Sequence, residues 1–520
     1  MSVGSPGPRS VAGAADSPST SDGFVRLVSE RLGGPPGRHA DRTGSWWNPA
    51  RVALLTATLV YLAGVLFRLP CRITRAGQAP DSFKFMCYSD IGLLYEARGL
   101  LQGNTPYLDS GDYQVLEYPV LTGWFLEFER LVTVALGAPT GEGLADQAKV
   151  DATAMFVDVN TVFLGALLLV AVWAQVRTPT GRPWDAMMLA ASPCVAAAAL
   201  INWDLLVVAL TALGCMFWAR RHPGWAGVFL GLGMAAKLYP GFLLGPLLLL
   251  CLRSRRMNDF WNMLATFAAS WTAVNLPAMV LAPQAWLSFW SFNSERGGDL
   301  GSIWYVLSLA ASPVPHLNIV AAALFLLGCA AIGALILLAP RRPRFGAVAF
   351  LVVAVFLMTN KVYSPQYVLW LLPLLILARP RWRDWWIFTA GELIYFGAIW
   401  WHLGGFLTPG DNAPDRVYWL AVFIRLATEG WVVALVVRDI LRPAHDVMRT
   451  AHTDDPAGDP PDDPTGGVLD GAPDAPWVRQ LRRSRDDGPP FDKLRERNDG
   501  PGGPATSWSP PATANRSMEA

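Results

Sequence analysis

Long apolar stretches separated by clusters of basic residues run from residue 50 to residue 442, and this pattern constrains the fold more than any other feature. A helix crosses a bilayer with about 20 apolar residues, and cytoplasmic loops carry the excess of Lys and Arg. The mean hydropathy is +0.30 although both ends of the chain are polar, and only 16% of the residues are charged, against about 25% in a soluble domain. These values exclude a soluble enzyme, a disordered chain and a disulfide-stapled secreted domain. They indicate an all-α polytopic membrane protein.

The basic clusters predict the direction in which each apolar stretch crosses the membrane. Arg38, Arg42 and Arg51 surround the start of the first stretch, which predicts a cytoplasmic amino terminus. Stretches 224–252 and 345–378 have basic clusters at both ends, so each is predicted to cross twice. The result is about twelve transmembrane helices with both termini in the cytoplasm. The predicted spans are 50–69, 152–174, 184–200, 205–219, two within 224–252, 260–281, 316–338, two within 345–378, 385–402 and 418–437.

The first external loop is predicted to be large, covering residues 70–151, with a second external loop at 282–315. The apolar stretch 118–137 lies inside the first loop and carries Glu127, Glu129 and Arg130 in its middle. Each such charge costs about 2.5–3.5 kcal/mol at the bilayer centre, so this stretch makes a poor span. We expect its helical segments to lie in the outer interface of the membrane.

The two ends of the chain differ from the middle. Residues 1–45 and 443–520 are rich in Gly, Pro, Ser and Asp, and we predict that both are disordered cytoplasmic tails. The transmembrane domain is then 46–442. We expect no removable signal peptide, because no short apolar segment with a cleavage site precedes the first span. The net charge of +1 gives no reason to expect nucleic acid as a partner.

Polar and charged residues are predicted to gather at the external face, near the membrane. Such residues are costly in a lipid setting and are therefore functional candidates. Carboxylates and several cations at one lipid-bounded face suit a lipid phosphate ligand. The candidates are Tyr88, Asp90, Glu117 and Tyr118 in the first loop, Asn202 and Asp204 in a short turn, Lys237 and Tyr239 at the first hairpin tip, Arg296 and Asp299 in the second loop, and Lys361, Tyr363 and Gln366 at the second tip.

The order of motifs in the first loop resembles that of the family 87 glycosyltransferases of actinobacterial membranes. The run YSDIGLLYEARGLLQGNTPYL, followed by EYPVL, is similar to their Asp, their Tyr-containing helix, their Gly-x-x-Pro-Tyr turn and their Tyr-Pro-Pro-Leu motif. Val120 stands where the last motif has its second Pro. The resemblance extends to GLGMAAKLYPGFLLGPLLL and NKVYSPQYVLWLLPLLILA, and covers most of residues 50–442.

This resemblance implies a GT-C architecture with interfacial helices in a large first extracytoplasmic loop, and a donor that carries its sugar on a polyprenyl phosphate. It also implies that Asp90 is the catalytic base. An acceptor hydroxyl must lose a proton as it attacks the anomeric carbon, and a positioned carboxylate can accept it. We expect Lys237, Lys361, Arg296, Asp204, Tyr239 and Gln366 to bind the donor phosphate or sugar, and Glu117, Tyr118 and Tyr88 to line the acceptor side or the loop.

Each of these residues also has a structural interpretation. Asp90 can cap the helix that follows it, Glu117 can form a loop salt bridge, and Arg296 with Asp299 can be a plain ion pair. Lys237 and Lys361 can simply extend to the membrane surface.

The sequence leaves several functions open. An inverting transfer of a hexose, with mannose favoured, to a cell-envelope glycan or glycolipid at the plasma membrane is the leading hypothesis. The alternatives are transfer of arabinofuranose, a non-enzymatic lipid-sugar transporter or flippase, and an inactive scaffold.

The cysteines give one further expectation. Cys71 and Cys87 share the external loop and can form a disulfide, whereas the other four lie in or beside spans. The sequence contains no zinc motif, glycine-rich phosphate loop or nucleotide domain, so we expect no metal and no cofactor other than the lipid-linked sugar donor.

Overall fold

A computed structural model describes residues 48–109, 111–409, 414–450, 462–478 and 480. Within these residues the chain forms helices, short 3-10 turns and loops, without a strand. The α-helices are α1 Pro49–Phe67, α2 Asp90–Ala97, α3 Val120–Ala135, α4 Asp146–Arg177, α5 Met187–Ala190, α6 Pro193–Ala198, α7 Asp204–Ala219, α8 Pro223–Ala236, α9 Tyr239–Phe242, α10 Leu244–Ser254, α11 Met257–Leu281, α12 Pro283–Glu295, α13 Ile303–Ala310, α14 Leu317–Leu338, α15 Phe345–Thr359, α16 Val368–Ala378, α17 Trp382–Leu403, α18 Arg416–Leu441 and α19 Val447–Thr450.

Five of these helices are long and apolar enough to cross a membrane: α1 with the turn that follows it, α4, α11, α14 and α18. Helices α7, α8, α10, α15 and α16 are apolar but shorter. Apolar side chains such as Leu59 and Leu327 remain exposed on the long helices, as expected where lipid is the neighbour. The fold is therefore that of a polytopic membrane protein. The number of twelve spans remains a prediction.

The predicted span 184–200 is not one continuous helix. It consists of the 3-10 turn Pro183–Ala186 and the short helices α5 and α6, with Pro193 at the first position of α6. Proline lacks a backbone N–H and clashes with the preceding turn, so it starts a helix readily but interrupts one that is already running. A hydropathy pattern alone does not show that the helix is interrupted here.

Contacts between connecting segments define two ends of the helix bundle. We call the first the loop end, where the segments 68–119, 199–204, 237–239 and 296–302 lie. The second is the basic end, which includes Arg253, Arg342, Arg344 and Arg379. At the basic end, Arg253 Nη2 donates to the carbonyl of Ala339 at 3.1 Å, and Arg344 Nη1 donates to the carbonyl of Leu377 at 2.9 Å.

The C-terminal region requires a correction. Residues 443–450 and 462–475, predicted to be disordered, pack against the basic end. Asp446 pairs with Arg344 at 2.7 Å, Asp474 pairs with Arg253 at 3.0 Å, and Leu469 is fully buried. The prediction was wrong because it rested on the polar composition of the segment alone. The carboxylates of the segment neutralise buried arginines, and these ion pairs hold it against the bundle.

The remaining parts of both predicted tails, 1–45, 451–461 and 481–520, lie outside the described residues. Residues 476–478 belong to a separate unit and form a helical turn.

The first loop contains two helices, α2 and α3, and a disulfide. Cys71 and Cys87 are bonded to each other, with their Cα atoms 6.1 Å apart. Helix α3 buries one face against α4 and α8, and its Thr122 hydroxyl donates to the carbonyl of Ala236 at 2.9 Å. Within this helix Glu127 pairs with Arg130 at 2.6 Å, and Glu129 accepts a hydrogen bond from the Trp203 indole N–H at 2.9 Å. The loop is thus a packed cover on the loop end of the bundle.

Candidate functional site

Asp90 is the first residue of α2, and its carboxyl group is not used to cap the helix. The capping residue is Ser89, whose hydroxyl accepts from the N–H of Ile91 at 3.3 Å. The Asp90 N–H donates to the carbonyl of Ile201 at 2.8 Å, which ties the start of α2 to the turn before α7. The half-buried Asp90 carboxylate instead accepts a hydrogen bond from the Tyr118 hydroxyl at 3.3 Å.

Tyr118 is held in place by the two loop motifs that carry the family resemblance. The Tyr107 hydroxyl, from the Gly-x-x-Pro-Tyr turn, donates to the carbonyls of Tyr118 at 2.8 Å and of Pro119 at 3.0 Å. The Tyr107 ring packs against Gly123, where a Cβ would meet its Cε2 at 2.3 Å, so only glycine fits there. Val120 is the first residue of α3, a position that also accepts proline. The departure from the family motif is therefore compatible with the same local structure.

Lys237 and Asp204 complete a cluster around Tyr118. The Lys237 Nζ lies 3.2 Å from Asp204 Oδ1 and 4.4 Å from the centre of the Tyr118 ring. The Trp370 indole N–H donates to the other Asp204 oxygen at 3.0 Å. Asn202 joins the two halves, because its amide donates to the Tyr118 hydroxyl at 3.3 Å and its Oδ1 accepts from the Asp204 N–H at 3.0 Å.

We call Tyr88, Asp90, Tyr118, Asn202, Asp204, Lys237 and Trp370 the loop-end cluster. It has two carboxylates and one cation, with aromatic rings beside the cation. Of the candidates predicted from the sequence, the structure brings together Tyr88, Asp90, Tyr118, Asn202, Asp204 and Lys237.

The surroundings of Asp90 raise the pKa of its carboxyl group. Burial disfavours the charged form and outweighs the hydrogen bond from the Tyr88 hydroxyl, the positive charge of Lys237 and the hydrogen bond from Tyr118, all of which favour that form. A carboxylate with a raised pKa is a stronger base. This property is what proton abstraction from a hydroxyl group requires.

Arg296 and Lys361 lie in a second group at the loop end. Arg296 pairs with Asp299, its Nε donating to Oδ2 at 2.8 Å, and both side chains are one-third exposed. The Arg296 carbonyl accepts a hydrogen bond from the Lys361 ammonium group at 2.6 Å, which joins the two residues.

Lys361 has a structural role that argues against the predicted contact with phosphate. Its ammonium group donates to the carbonyls of Asn293 at 2.8 Å and Arg296 at 2.6 Å, and to Asn318 Oδ1. These three bonds use all the protons of a lysine ammonium group. Burial and the neighbouring Arg296 also lower the pKa of Lys361. The residue fastens the second hairpin tip to the segment after α12.

Three further predicted residues lie away from the centre of the cluster. Glu117 forms a bidentate pair with Arg98, at 2.9 and 2.8 Å, as the loop salt-bridge interpretation has it. Tyr239 is 2% exposed and stacks behind Trp370, with ring centres 4.8 Å apart. Gln366 is buried at the second tip, and its Oε1 lacks a hydrogen-bond partner.

Tyr107 and Trp370 contribute to the site but were not among the predicted residues. Tyr107 is part of a motif that was read only as a turn, and the Pro106-Tyr107 pair was the available signal. Trp370 lies in an apolar run among many other tryptophans, and nothing in its sequence context distinguishes it from them. In the described part of the chain, no three His, Cys, Asp or Glu side chains are grouped as a metal site.

The helices and the loop-end cluster define a polytopic membrane protein with a polar site between its loops. The model of glycosyltransferase family 87 matches residues 148–359. This match confirms the predicted resemblance to family 87 and indicates a membrane glycosyltransferase. Asp204, Lys237, Tyr239 and Arg296 lie within the matched region, whereas Asp90 and Tyr118 precede it. A comparison with curated proteins finds no match for the chain.

Proposed function

We propose that this glycosyltransferase moves a hexose, with mannose favoured, from a polyprenyl phosphate to a cell-envelope glycan or glycolipid, with inversion at the anomeric carbon. The observation that carries the proposal is the Asp90 carboxylate, which is free of any capping role and lies within hydrogen-bond reach of Tyr118 at 3.3 Å. Transfer of arabinofuranose from the same type of lipid donor remains the alternative. It would use the same base and phosphate chemistry.

Asp90 is proposed to act as the general base. The acceptor oxygen forms a bond to the anomeric carbon as the bond from that carbon to the phosphate oxygen breaks. The acceptor proton passes to Asp90, and the polyprenyl phosphate leaves as an anion. A separate acid for the leaving group is unnecessary, unlike in glycoside hydrolysis, because phosphate leaves well without protonation. A positioned base contributes about 10²–10⁴-fold to such a step.

Lys237 is proposed to stabilise the phosphate that leaves, with Arg296 as the second cation. Lys237 is 16% exposed and already oriented by Asp204, so its charge is fixed in place before the donor binds. A preorganised cation stabilises developing charge without paying for reorganisation during the reaction. Asp204 is then a positioning residue that holds the ammonium group against the Tyr118 ring. Lys361 is not part of this proposal.

The site is proposed to face the outside of the plasma membrane, with both termini in the cytoplasm. The clustering of Arg253, Arg342, Arg344 and Arg379 at the basic end supports this orientation, because cytoplasmic loops carry the excess of basic residues. The loop end, with the loop-end cluster, is then extracytoplasmic. A donor embedded in the bilayer can reach such a site from the side.

Purified protein in lipid nanodiscs, supplied with radiolabelled polyprenyl-phosphate mannose and, separately, the corresponding arabinofuranose donor, tests the proposal. Envelope glycolipids and glycan fragments serve as acceptors, and the anomeric configuration of the product is read by nuclear magnetic resonance. We expect mannose transfer with inverted configuration. Transfer from the arabinofuranose donor alone would establish the alternative. Transfer from neither donor, by protein that unfolds cooperatively, would contradict the proposed donor class.

A further inference from the structure

A cavity of about 420 Å³ lies at the loop end, beside the segment that carries Asp90. It opens between α1 with the turn that follows it, the disulfide-linked part of the first loop, α2 and α4. Tyr88, Ser89 and Ile91, which flank Asp90 in sequence, form part of its wall. The volume is in the range of about 300–1,000 Å³ that is typical of sites for small ligands.

The wall of the cavity is largely apolar. It includes Val65, Leu69, Ile91, Leu93, Val157 and Leu200. Leu69 and Leu93 are 52% and 53% exposed, so the apolar lining continues to the outer surface. Helices α1 and α4, which border the cavity, are both long enough to cross a membrane. An apolar cavity between two such helices is open to the hydrocarbon chains of the bilayer.

Arg68 places a positive charge in this wall, and no carboxylate of the described part of the chain forms an ion pair with it. Its Nη1 donates to the carbonyls of Cys87 at 3.2 Å and Tyr88 at 3.0 Å, and its Nη2 donates to the carbonyl of Ala197 at 3.1 Å. Its Nε is buried and lacks a hydrogen-bond partner. Among the described residues, no carboxylate forms an ion pair with Arg68, and neutral carbonyls do not offset its charge.

The other charged residues in the cavity wall are paired or exposed to solvent. Arg72 forms a bidentate pair with Asp158, at 2.8 and 2.5 Å, and both side chains are about half exposed. Glu96 accepts from the Thr153 hydroxyl at 2.7 Å and is exposed to solvent. Arg68 is therefore the positive charge in the wall that an anionic ligand would neutralise. It lies at the end of α1, where the headgroups of a bilayer would lie.

We propose that this cavity binds a phospholipid of the bilayer, with the phosphate paired to Arg68 and an acyl chain along the apolar wall. Hydrogen bonds between a charged guanidinium group and phosphate oxygens are stronger than those between neutral groups. The cavity wall contains Arg68 but not Lys237, and the proposed site does not depend on the proposed donor. Because Arg68 holds the carbonyl of Tyr88, a bound phospholipid would also brace the segment that carries Asp90.

Photo-crosslinking tests this proposal without any measurement of activity. Purified protein in nanodiscs is given a trace of phosphatidylglycerol with a diazirine in its acyl chain, or diacylglycerol with the same chain but no phosphate. Labelled peptides are mapped by mass spectrometry. We expect phosphatidylglycerol to label peptides covering 65–73, 89–96 and 150–161 at least fivefold more than diacylglycerol. Equal labelling by the two probes, or no labelling of these peptides, would overturn the proposal.

Matched variants test the charge of Arg68 separately from the shape of the cavity. Arg68→Lys retains a cation and should keep most of the preference for phosphatidylglycerol, whereas Arg68→Gln should lose it. Leu93→Trp fills the cavity and should reduce labelling by both probes, while Leu131→Trp, at an equally exposed position on α3, should not. A preference that survives Arg68→Gln would contradict the assigned role of Arg68.

A third probe, polyprenyl phosphate with a diazirine near its phosphate, distinguishes a phospholipid site from part of the donor site. It should leave these peptides unlabelled when phosphatidylglycerol is present. Labelling of 65–73 by this probe in preference to phosphatidylglycerol would assign the cavity to the donor instead.

Discussion

The hydroxyl of Tyr118 donates a hydrogen bond to the carboxylate of Asp90 at 3.3 Å, joining two parts of the first loop that lie 28 residues apart. Tyr118 is itself fixed by Tyr107 and by Asn202, so the position of the proposed base depends on both loop motifs and on the turn before α7. The consequences of this arrangement can be measured.

Replacement of the proposed base is the most direct test of the mechanism. Asp90→Asn keeps the size of the side chain but removes its negative charge, and Ser89 still caps α2. We expect normal protein levels and a kcat at least about 100-fold lower with saturating donor. Asp109→Asn and Asp112→Asn change exposed carboxylates of the same loop and should retain activity. Near-normal turnover of Asp90→Asn would remove this residue from the mechanism.

The pH dependence of the reaction should report on Asp90. A base must be ionised to act, so kcat/KM falls as the pH drops through its pKa. Because burial raises the pKa of Asp90, we expect this fall above the usual value for aspartate of about 3.9. Tyr118→Phe removes a hydrogen bond to the ionised form, which raises the pKa further and moves the fall to higher pH. Tyr113→Phe, in the same loop, should leave the profile unchanged, and an unmoved profile in Tyr118→Phe would contradict the coupling.

Lys237 and Lys361 are expected to differ in what their loss affects. Lys237→Met should raise the KM for the donor about tenfold or more, because a hydrogen bond to a charged group contributes about 1.5–3 kcal/mol. Lys361→Met should leave this KM nearly unchanged and instead lower the melting temperature, since it fastens the second tip. Donor titrations and thermal unfolding in detergent measure both. A larger effect of Lys361 on the KM for the donor would reverse the two assignments.

The ion pair between Lys237 and Asp204 allows a control for stability. Lys237→Met leaves the Asp204 carboxylate buried without its cation, which is destabilising in itself. The double variant Lys237→Met with Asp204→Asn should therefore regain stability while the KM for the donor stays high. Recovery of both properties would indicate that Lys237 acts only through folding.

The C-terminal segment should contribute to stability. The Asp463 carboxylate accepts from the N–H of Phe345 at 2.7 Å and so caps α15. Asp463→Ala should lower the free energy of unfolding by about 0.5–2 kcal/mol, the usual loss for such a cap. Glu142→Ala, which removes an exposed carboxylate at the other end of the molecule, is the matched control and should have little effect. Equal stability of the two variants would mean that residues 462–475 do not support the bundle.

Most of the helices could be predicted from the sequence, because apolar runs and basic clusters are local signals. Asp90 and its neighbours could be predicted as a group, because alternation of the spans places them at one face. What could not be predicted is how charges far apart in sequence pair. Arg344 illustrates this, because its guanidinium pairs at 2.7 Å with Asp446, which comes 102 residues later in the chain.

The same limit explains the two main differences from the prediction. Lys361 was expected to bind phosphate because it is a cation at a loop tip, but three oxygens of the protein already occupy its ammonium protons. The segment 462–475 was expected to be disordered because it is polar, but its partners include arginines that come 130 and 221 residues earlier in the chain. The composition of a segment does not show which groups it contacts in the fold. The role of Lys361 and the order of 462–475 both depend on those contacts.

The position of Asp474 has a consequence for how the protein is made. The Arg253 guanidinium is fully buried, and the carboxylate that neutralises it comes 221 residues later in the chain. At about 5–20 residues per second, a ribosome needs roughly 10–45 s to cover that distance. During that time most of the helices that follow Arg253 are synthesised while the arginine still awaits its counter-charge. The contacts of residues 462–475 with the basic end can therefore form only after these residues have been synthesised, and a chain that stops before residue 462 would leave the basic end open.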